Sequence, residues 1–291
     1  MDQVVSKDDT IKHRLKLLRW KLRRRLAVLR WGKDVLSASP VVFGNAMPKS
    51  GSHLIIQVLQ GLTQFGPFVN PGLPPVNRTE DNRDLSSEAV LQSIISMQTG
   101  DIRYGYIKAD PQFVAALIGD RRATIFVYRD PRDMVVSHIF YATDMLPGHG
   151  MHRYYAEKLN TMEERIHAAI VGVNDGDVVM RGVRSRYEGY LGWLEQQEVL
   201  CLKFEDLILN QEKAFQDILG YLYGHGLNLK IPLERQIAYL KAAVVPRRSG
   251  TFRRGQPGNW KEYFTERNKE IFKEQAGDLL IRLGYETGTG W

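Results

Sequence analysis

The chain has 291 residues, 43% of them hydrophobic and 25% charged, which is enough apolar material for a sizeable core and excludes wholesale disorder. A single cysteine, Cys201, excludes a disulfide framework and a multi-cysteine zinc site, and suits a reducing cytosol. The net charge of +7 sits at one end: residues 1–36 carry 11 Lys/Arg against 4 Asp/Glu, and the rest holds 29 of each sign, so the body of the chain is not marked for nucleic acid.

No stretch reaches the ~18 uncharged apolar residues of a membrane span, and the N-terminus lacks the apolar core of a signal peptide. Ile11 to Trp31 predicts a basic amphipathic helix, with Leu15, Leu18, Leu22, Leu26 and Leu29 at spacings of three and four. Two readings stand for residues 11–31. The helix rests on an anionic membrane surface, or it packs on its own domain or a partner. The acids Asp2, Asp8 and Asp9 argue against a transit peptide.

From Pro40 the pattern is mixed α/β. Residues 41–43 predict a strand and 54–62 a helix. Residues 66–87, rich in Gly, Pro and Asn, predict a loop. Helices are expected over 88–97 and 113–118. The β-branched and aromatic run 124–128 predicts a buried strand, with a helix from Asp133. A loop is expected over 144–153, helices over 155–171 and 183–196, and a strand over 199–204. Helices follow over 211–223, 232–242 and 266–283, after a basic Gly/Pro-punctuated loop at 246–260. The alternation predicts an α/β fold, a central parallel sheet flanked by helices. No repeat or composition break interrupts 37–291, so one domain is expected there, behind an appendage formed by 1–36.

Three segments carry the chemistry. In Asn45 to His53 a strand feeds a helix through Lys49, Ser50, Gly51 and Ser52. A helix N-terminus, a glycine and a lysine suit a phosphate. The order differs from the Walker pattern, because Lys49 precedes Gly51. An ordinary strand-to-helix turn is the plain alternative. In the second segment, Tyr128 to Ser137, Arg129 follows a strand end, where open α/β sheets place ligand groups. Arg129 and Ser137 can both donate to one anion. The competing reading is a surface salt-bridge cluster of Arg129, Asp130, Arg132 and Asp133. In the third, Phe252 to Lys261, Arg253 and Arg254 beside Gly255 give a loop with anion affinity, or simply a solvated basic loop.

In this order, the three segments resemble the sulfotransferases that use 3′-phosphoadenosine-5′-phosphosulfate (PAPS), over roughly residues 41–270. The first resembles that family's 5′-phosphosulfate loop, the second its 3′-phosphate motif and the third its C-terminal Arg-Lys-Gly-x-x-Gly loop. The resemblance implies a P-loop nucleotide-kinase-like fold. It implies PAPS as co-substrate, adenosine 3′,5′-bisphosphate (PAP) as product, and no metal. It implies Lys49 at the bridging oxygen, and Ser50, Gly51 and Ser52 at the 5′-phosphate. Arg129 and Ser137 would hold the 3′-phosphate, with Phe252, Arg253, Arg254 and Gly255 closing over it. The sequence also departs from the family. His53 and Leu54 replace its Thr and its adenine-stacking Trp; the stretch Phe204-Glu205-Asp206 resembles the family's Tyr-Glu-Asp near the adenine, which makes Phe204 the candidate adenine face. Asn259 stands where the family has Asp before Trp260. Glu266, in the stretch from Lys261 to Glu270, breaks the dimerisation pattern, so the oligomeric state stays open.

The family's histidine base is missing. The matching stretch Tyr104 to Pro111 offers Tyr106, Lys108 and Asp110. Asp110 is preferred as base, because a carboxylate is ionised at pH 7 and a tyrosine is not. Its plain alternative is capping of a helix beginning near Pro111. His53 and His138 are outside candidates. The expected reaction is sulfuryl transfer to a hydroxyl or amine of a small molecule, with a cationic natural product favoured by the carboxylate. The acceptor walls are expected from loops 66–87 and 142–153, with Phe65, Phe68, Phe140, Tyr141 and Tyr154 as lining candidates. A cytoplasmic, or membrane-peripheral, protein is expected. The competing functions are a nucleotide-binding module without turnover and a kinase of related fold.

Overall fold

The computed structural model describes residues 7–245, 247 and 255–291, with side chains from residue 14 on. The chain opens with helices α1 (Lys7–Trp31) and α2 (Lys33–Ala38), strand β1 (Val41–Ala46), and helices α3 (Ser52–Phe65) and α4 (Ser87–Ile95). Strand β2 (Ile102–Gly105), helix α5 (Pro111–Leu117), strand β3 (Arg122–Tyr128) and helix α6 (Pro131–Phe140) follow. Two π-helical turns, Tyr141–Met145 and Tyr154–Lys158, precede α7 (Met162–Val171), β4 (Gly172–Asp175), β5 (Val178–Arg181) and α8 (Val183–Leu191). The rest comprises β6 (Leu200–Lys203), α9 (Phe204–Leu209), α10 (Gln211–Gly224), α11 (Leu233–Ala243), α12 (Trp260–Tyr263) and α13 (Glu266–Arg282). These elements gather into two compact units, one of Met1–Tyr128 with Gly192–Pro246, the other of Arg129–Leu191 with Arg247–Trp291. Among the described residues no helix is long and apolar enough to cross a membrane.

The first unit is built on a four-stranded parallel sheet in the order β2-β1-β3-β6. Every residue of β1 is buried, as a central parallel strand covered on both faces requires. Helix α3 lays Leu54, Ile55, Val58, Leu59 and Leu62 into a core shared with Val42, Ile125, Val127, Phe215 and Leu219. Gly44 allows this approach, since a Cβ there would lie 2.8 Å from Leu59 Cδ1. Register pairs Asn45 with Gly105 and Ala46 with Val127, so the carboxyl ends of three strands stand together where β1 passes into the turn before α3. That edge is where open α/β sheets take ligands. Strand β2 was not expected from the sequence: Ile102-Arg103-Tyr104-Gly105 has no β-branched run, and its pairing with β1 supplies what local propensity lacks.

In the second unit α6, α7, α8 and α13 pack around Ile166, Ala169, Ile170, Tyr187, Phe272 and Leu279. The helix expected over 155–171 is divided. A π-turn ends at Lys158, and α7 restarts behind a capping box in which Thr161 Oγ1 accepts from Glu164 N while Glu164 accepts from Thr161 N. The helix expected over 183–196 ends at Leu191 and tightens into a 3-10 turn over Gly192–Glu195. A β4–β5 hairpin turning at Gly176, φ 59°, was also unforeseen.

Candidate functional site

The turn between β1 and α3 has two residues in the left-handed region, Lys49 at φ 67° and Gly51 at φ 94°. For Gly51 the conformation is free of side-chain strain. The absent Cβ matters as well, since a methyl there would lie 2.5 Å from Phe204 Cδ2. The Phe204 ring therefore lies directly on the loop. No side chain caps α3, so its positive end faces the turn. Ser50 is wholly buried, and its Oγ has no hydrogen-bond partner among the described residues. Such a hydroxyl costs about 1–3 kcal/mol if left unsatisfied. An orphan donor beside a helix N-terminus and a lysine fits an incoming phosphate oxygen. His53 follows one residue into α3. His53 is open to solvent on one side, and partial desolvation first, with the Lys49 charge second, holds its imidazole below the ordinary histidine range.

The exit of β2 is fastened to the same loop. Tyr106 Oη donates to Ser52 Oγ at 3.1 Å. The next residue is clamped three ways. Asn45 Nδ2 donates to Ile107 O at 2.9 Å, Ile107 N donates to Asn45 Oδ1 at 2.9 Å, and Trp193 Nε1 donates to Ile107 O at 2.8 Å. Asn45 and Trp193 are both fully buried. Lys108 and Asp110 lie beyond this clamp and are exposed. Asp110 does occupy the residue before α5, with Pro111 next, but its carboxylate makes no capping hydrogen bond.

In the second unit, Arg129 is 8% exposed, with Nη2 3.6 Å from Asp133 Oδ2. Tyr187 Oη donates to the Arg129 carbonyl at 2.9 Å. Asp133 also accepts from Gly258 N at 2.7 Å and Trp260 N at 2.9 Å. Asp130 caps α6 through Arg132 N and grips the Arg132 guanidinium. That guanidinium lies 3.9 Å from the Trp260 ring centre and 4.4 Å from that of Trp291, and it pairs with Glu286 at 2.7 Å. The charged cluster is thus real but interior rather than superficial. Ser137 sits half-buried on α6. Gly255 is described, while Phe252, Arg253 and Arg254 lie outside the described residues.

A protein-family model for the sulfotransferase domain matches residues 41–284. The chain belongs to the sulfotransferase family. This sulfotransferase-family chain is 25% identical over 178 residues to the 3-alpha-hydroxysteroid sulfotransferase of Cavia porcellus. That alignment covers 55% of the chain and 56% of the relative, so the chain spans little more than half the length of the curated protein it matches. Among solved structures it resembles mouse sulfotransferase SULT7A1 complexed with PAP, with TM-score 0.57, 16% identity, and coverage of 88% of this chain and 93% of that one. It also resembles retinol dehydratase in complex with androsterone and inactive cofactor PAP, with TM-score 0.55, 13% identity, and coverage of 84% and 83%. These likenesses establish the fold expected from the sequence, the P-loop-like sulfotransferase fold with its parallel sheet flanked by helices.

Within the first unit of this sulfotransferase fold, Gly51 meets Phe204 and Ser52 meets Tyr106, so residues far apart in sequence share one loop. Two acceptor-wall candidates are core instead. Phe65 and Phe68 are 1% and 4% exposed, and Phe65 stacks on Tyr239. Phe140, Tyr141 and Tyr154 are not core but make ring contacts with Tyr263, His149 and Tyr155. Sequence reasoning gave no role to Asn45 or Trp193, and it placed Asp133 only in a surface salt-bridge cluster, without its hold on the Gly258 and Trp260 amides. Asn45 gave one usable signal, an amide inside an otherwise apolar strand, which must be hydrogen-bonded if buried.

Proposed function

We propose that this chain transfers the sulfuryl group of PAPS to a hydroxyl or amine of a small-molecule acceptor. The observation that carries the reading is the wholly buried Ser50 hydroxyl, without a hydrogen-bond partner among the described residues, in a turn bordered by Lys49, Gly51 and the N-terminus of α3. Bound PAPS would supply an activated sulfuryl group on a 5′-phosphate leaving group. Sulfuryl transfer depends on in-line positioning and on neutralising charge that builds on the leaving oxygen. Lys49 supplies that charge, so the leaving group needs no metal. Ser50 and Ser52 donate hydroxyl protons to the 5′-phosphate, and Gly51 lets the backbone approach it. Phe204 offers an apolar face to adenine, and His53 lies beside the phosphate. Arg129 and Ser137 bind the 3′-phosphate, with Phe252, Arg253, Arg254 and Gly255 contributing from the C-terminal loop.

The acceptor's proton goes to Asp110, an exposed carboxylate engaged in no capping bond. Tyr106, held on Ser52, positions the reacting groups, and Lys108 flanks them. An exposed carboxylate at this point favours a cationic acceptor, as in the tailoring of a basic natural product. The transferase proper occupies 37–291 as one domain, and a cytoplasmic site of action is in keeping with its single cysteine.

Calorimetric titration tests the cofactor, and transfer from labelled PAPS to a panel of phenols, alcohols and amines tests the reaction. Micromolar PAP binding with sulfated product is expected, best with amine-bearing acceptors. Preference for ATP with magnesium would establish a kinase. Nucleotide binding without product across the panel would leave a binding module.

A further inference from the structure

Helix α1 has two apolar faces. At about 100° per residue, Leu17, Trp20, Arg24, Ala27, Val28 and Trp31 fall on one side. That side is occupied. Ala27 forms a small core with Leu36 and Val69, joined by Trp20, Val28 and Trp31. Arg24 pairs with Asp101 at 2.9 Å and donates to Thr99 O at 3.0 Å, and Lys16 pairs with Glu80. The opposite side carries Leu15, Leu18, Leu22, Leu26 and Leu29 within an arc of about 80°. All five are open to solvent, from 51% for Leu15 to 82% for Leu29. A helix that only packs on its own domain turns its leucines inward and its charges outward. Here the inner face is already filled, and a second leucine stripe points away from the body.

The charges frame that stripe. Arg19, Arg23 and Arg30 run along one edge, Arg14, Lys21 and Arg25 along the other, and no acid occurs between Asp9 and Asp34. Two of these arginines are fixed by the body. Arg23 donates to Asn70 O and Arg30 to Gln64 O, each at 2.9 Å. Both border a hollow of about 380 Å³ lined also by Leu26, Trp31 and Phe68.

We propose that α1 lies flat on an anionic membrane surface, with its outer leucines among the acyl chains and Arg14, Arg19, Lys21 and Arg25 at the lipid phosphates. The complementarity selects this occupant over others. A second copy docking stripe to stripe would bring six basic residues of each helix against six of the other. Nucleic acid would satisfy the arginines and leave five leucines in water. The inner contacts of Trp20, Arg24 and Ala27 hold the rest of the chain to the docked helix. This proposal does not depend on the transfer reaction.

The test is co-sedimentation of the full chain with vesicles of phosphatidylcholine alone and with about 30% phosphatidylserine, at low and high salt. At least tenfold stronger binding to the anionic vesicles is expected, weakened by salt. A Leu18→Glu/Leu22→Glu variant should lose that binding tenfold or more while keeping its melting temperature, because both side chains already face water. Arg19→Gln/Arg25→Gln should weaken binding to anionic vesicles only. Equal binding by the leucine variant, or none by the wild type, overturns the proposal. So does a wild-type dimer that ignores vesicles and dissociates in the leucine variant.

Discussion

Tyr106 Oη donates to Ser52 Oγ at 3.1 Å, and this bond joins the exit of β2 to the first residue of α3. Tyr106→Phe deletes the bond and keeps the ring. Ser52 then loses its partner, so nucleotide affinity and kcat should both fall, each by about three- to tenfold for a lost neutral hydrogen bond of ~1 kcal/mol. Asp110→Asn should behave differently. Its carboxylate caps nothing, so stability and nucleotide affinity should hold while kcat falls about 10²-fold, the usual weight of a proton acceptor. Steady-state kinetics with separate nucleotide titrations reads the contrast. Near-wild-type turnover in both variants removes this pair from the proton path.

Gly51→Ala should be damaging in two ways. The left-handed φ of 94° costs a non-glycine residue about 1–2 kcal/mol. The new methyl would also stand 2.5 Å from Phe204 Cδ2 and push the ring off the loop. A fall in the denaturation midpoint together with at least tenfold weaker PAP binding is expected. In a Phe204→Leu background the same substitution should cost less stability, because the smaller side chain leaves room. An equal cost in both backgrounds would mean that the ring does not press on the loop.

The elements that could be read in the sequence were those whose signal is local. The β-branched run of β3, the apolar run of α3 and the Lys49-Ser50-Gly51 turn are each contained in one short stretch of sequence. Strand β2 was invisible because Arg103 and Tyr104 interrupt any apolar run, and its strand character comes from register with β1. The divided helix before α7 had a local signal, Thr161 with Glu164, which the longer apolar periodicity outweighed. At the site, loop membership was legible and its supports were not. Phe204 was named from its motif, but its contact with Gly51 is a tertiary fact. Asn45 and Trp193 both act on the backbone of Ile107, and no pattern in their own neighbourhoods announces that. The outer leucines of α1 were seen as one amphipathic face, whereas the wheel holds two, and only burial distinguishes them.

Asp133 joins α6 to the segment before α12. It accepts from Gly258 N and Trp260 N, and Arg129 stands 3.6 Å away. An asparagine keeps the shape but cannot accept at both positions, and it removes the negative charge beside Arg129. Asp133→Asn should lower stability by about 1–3 kcal/mol, because one of the two backbone donors loses its acceptor. The loss should be local as well as global. Hydrogen exchange at the Gly258 and Trp260 amides should accelerate more than exchange in α13. Uniform acceleration would show that Asp133 supports the unit generally and does not tether this segment.

If the 5′-phosphate sits at the start of α3 as proposed, His53 should link nucleotide binding to protons. Partial desolvation and the Lys49 ammonium hold its folded-state value below the ordinary one, so the unfolded chain binds a proton more readily. Stability from this source is complete above about pH 6.5, the unfolded value, and drains away as pH falls through the lowered folded value. A phosphate dianion beside the ring acts in the opposite direction and favours the imidazolium. Binding of PAP near pH 6 should therefore take up a fraction of a proton. Calorimetry in buffers of different ionisation enthalpy measures that uptake as a slope. His53→Asn cannot titrate and should flatten the slope toward zero while leaving affinity at pH 8 within about threefold, since a neutral imidazole contributes little there. An unchanged slope in this variant would place the phosphate away from the start of α3.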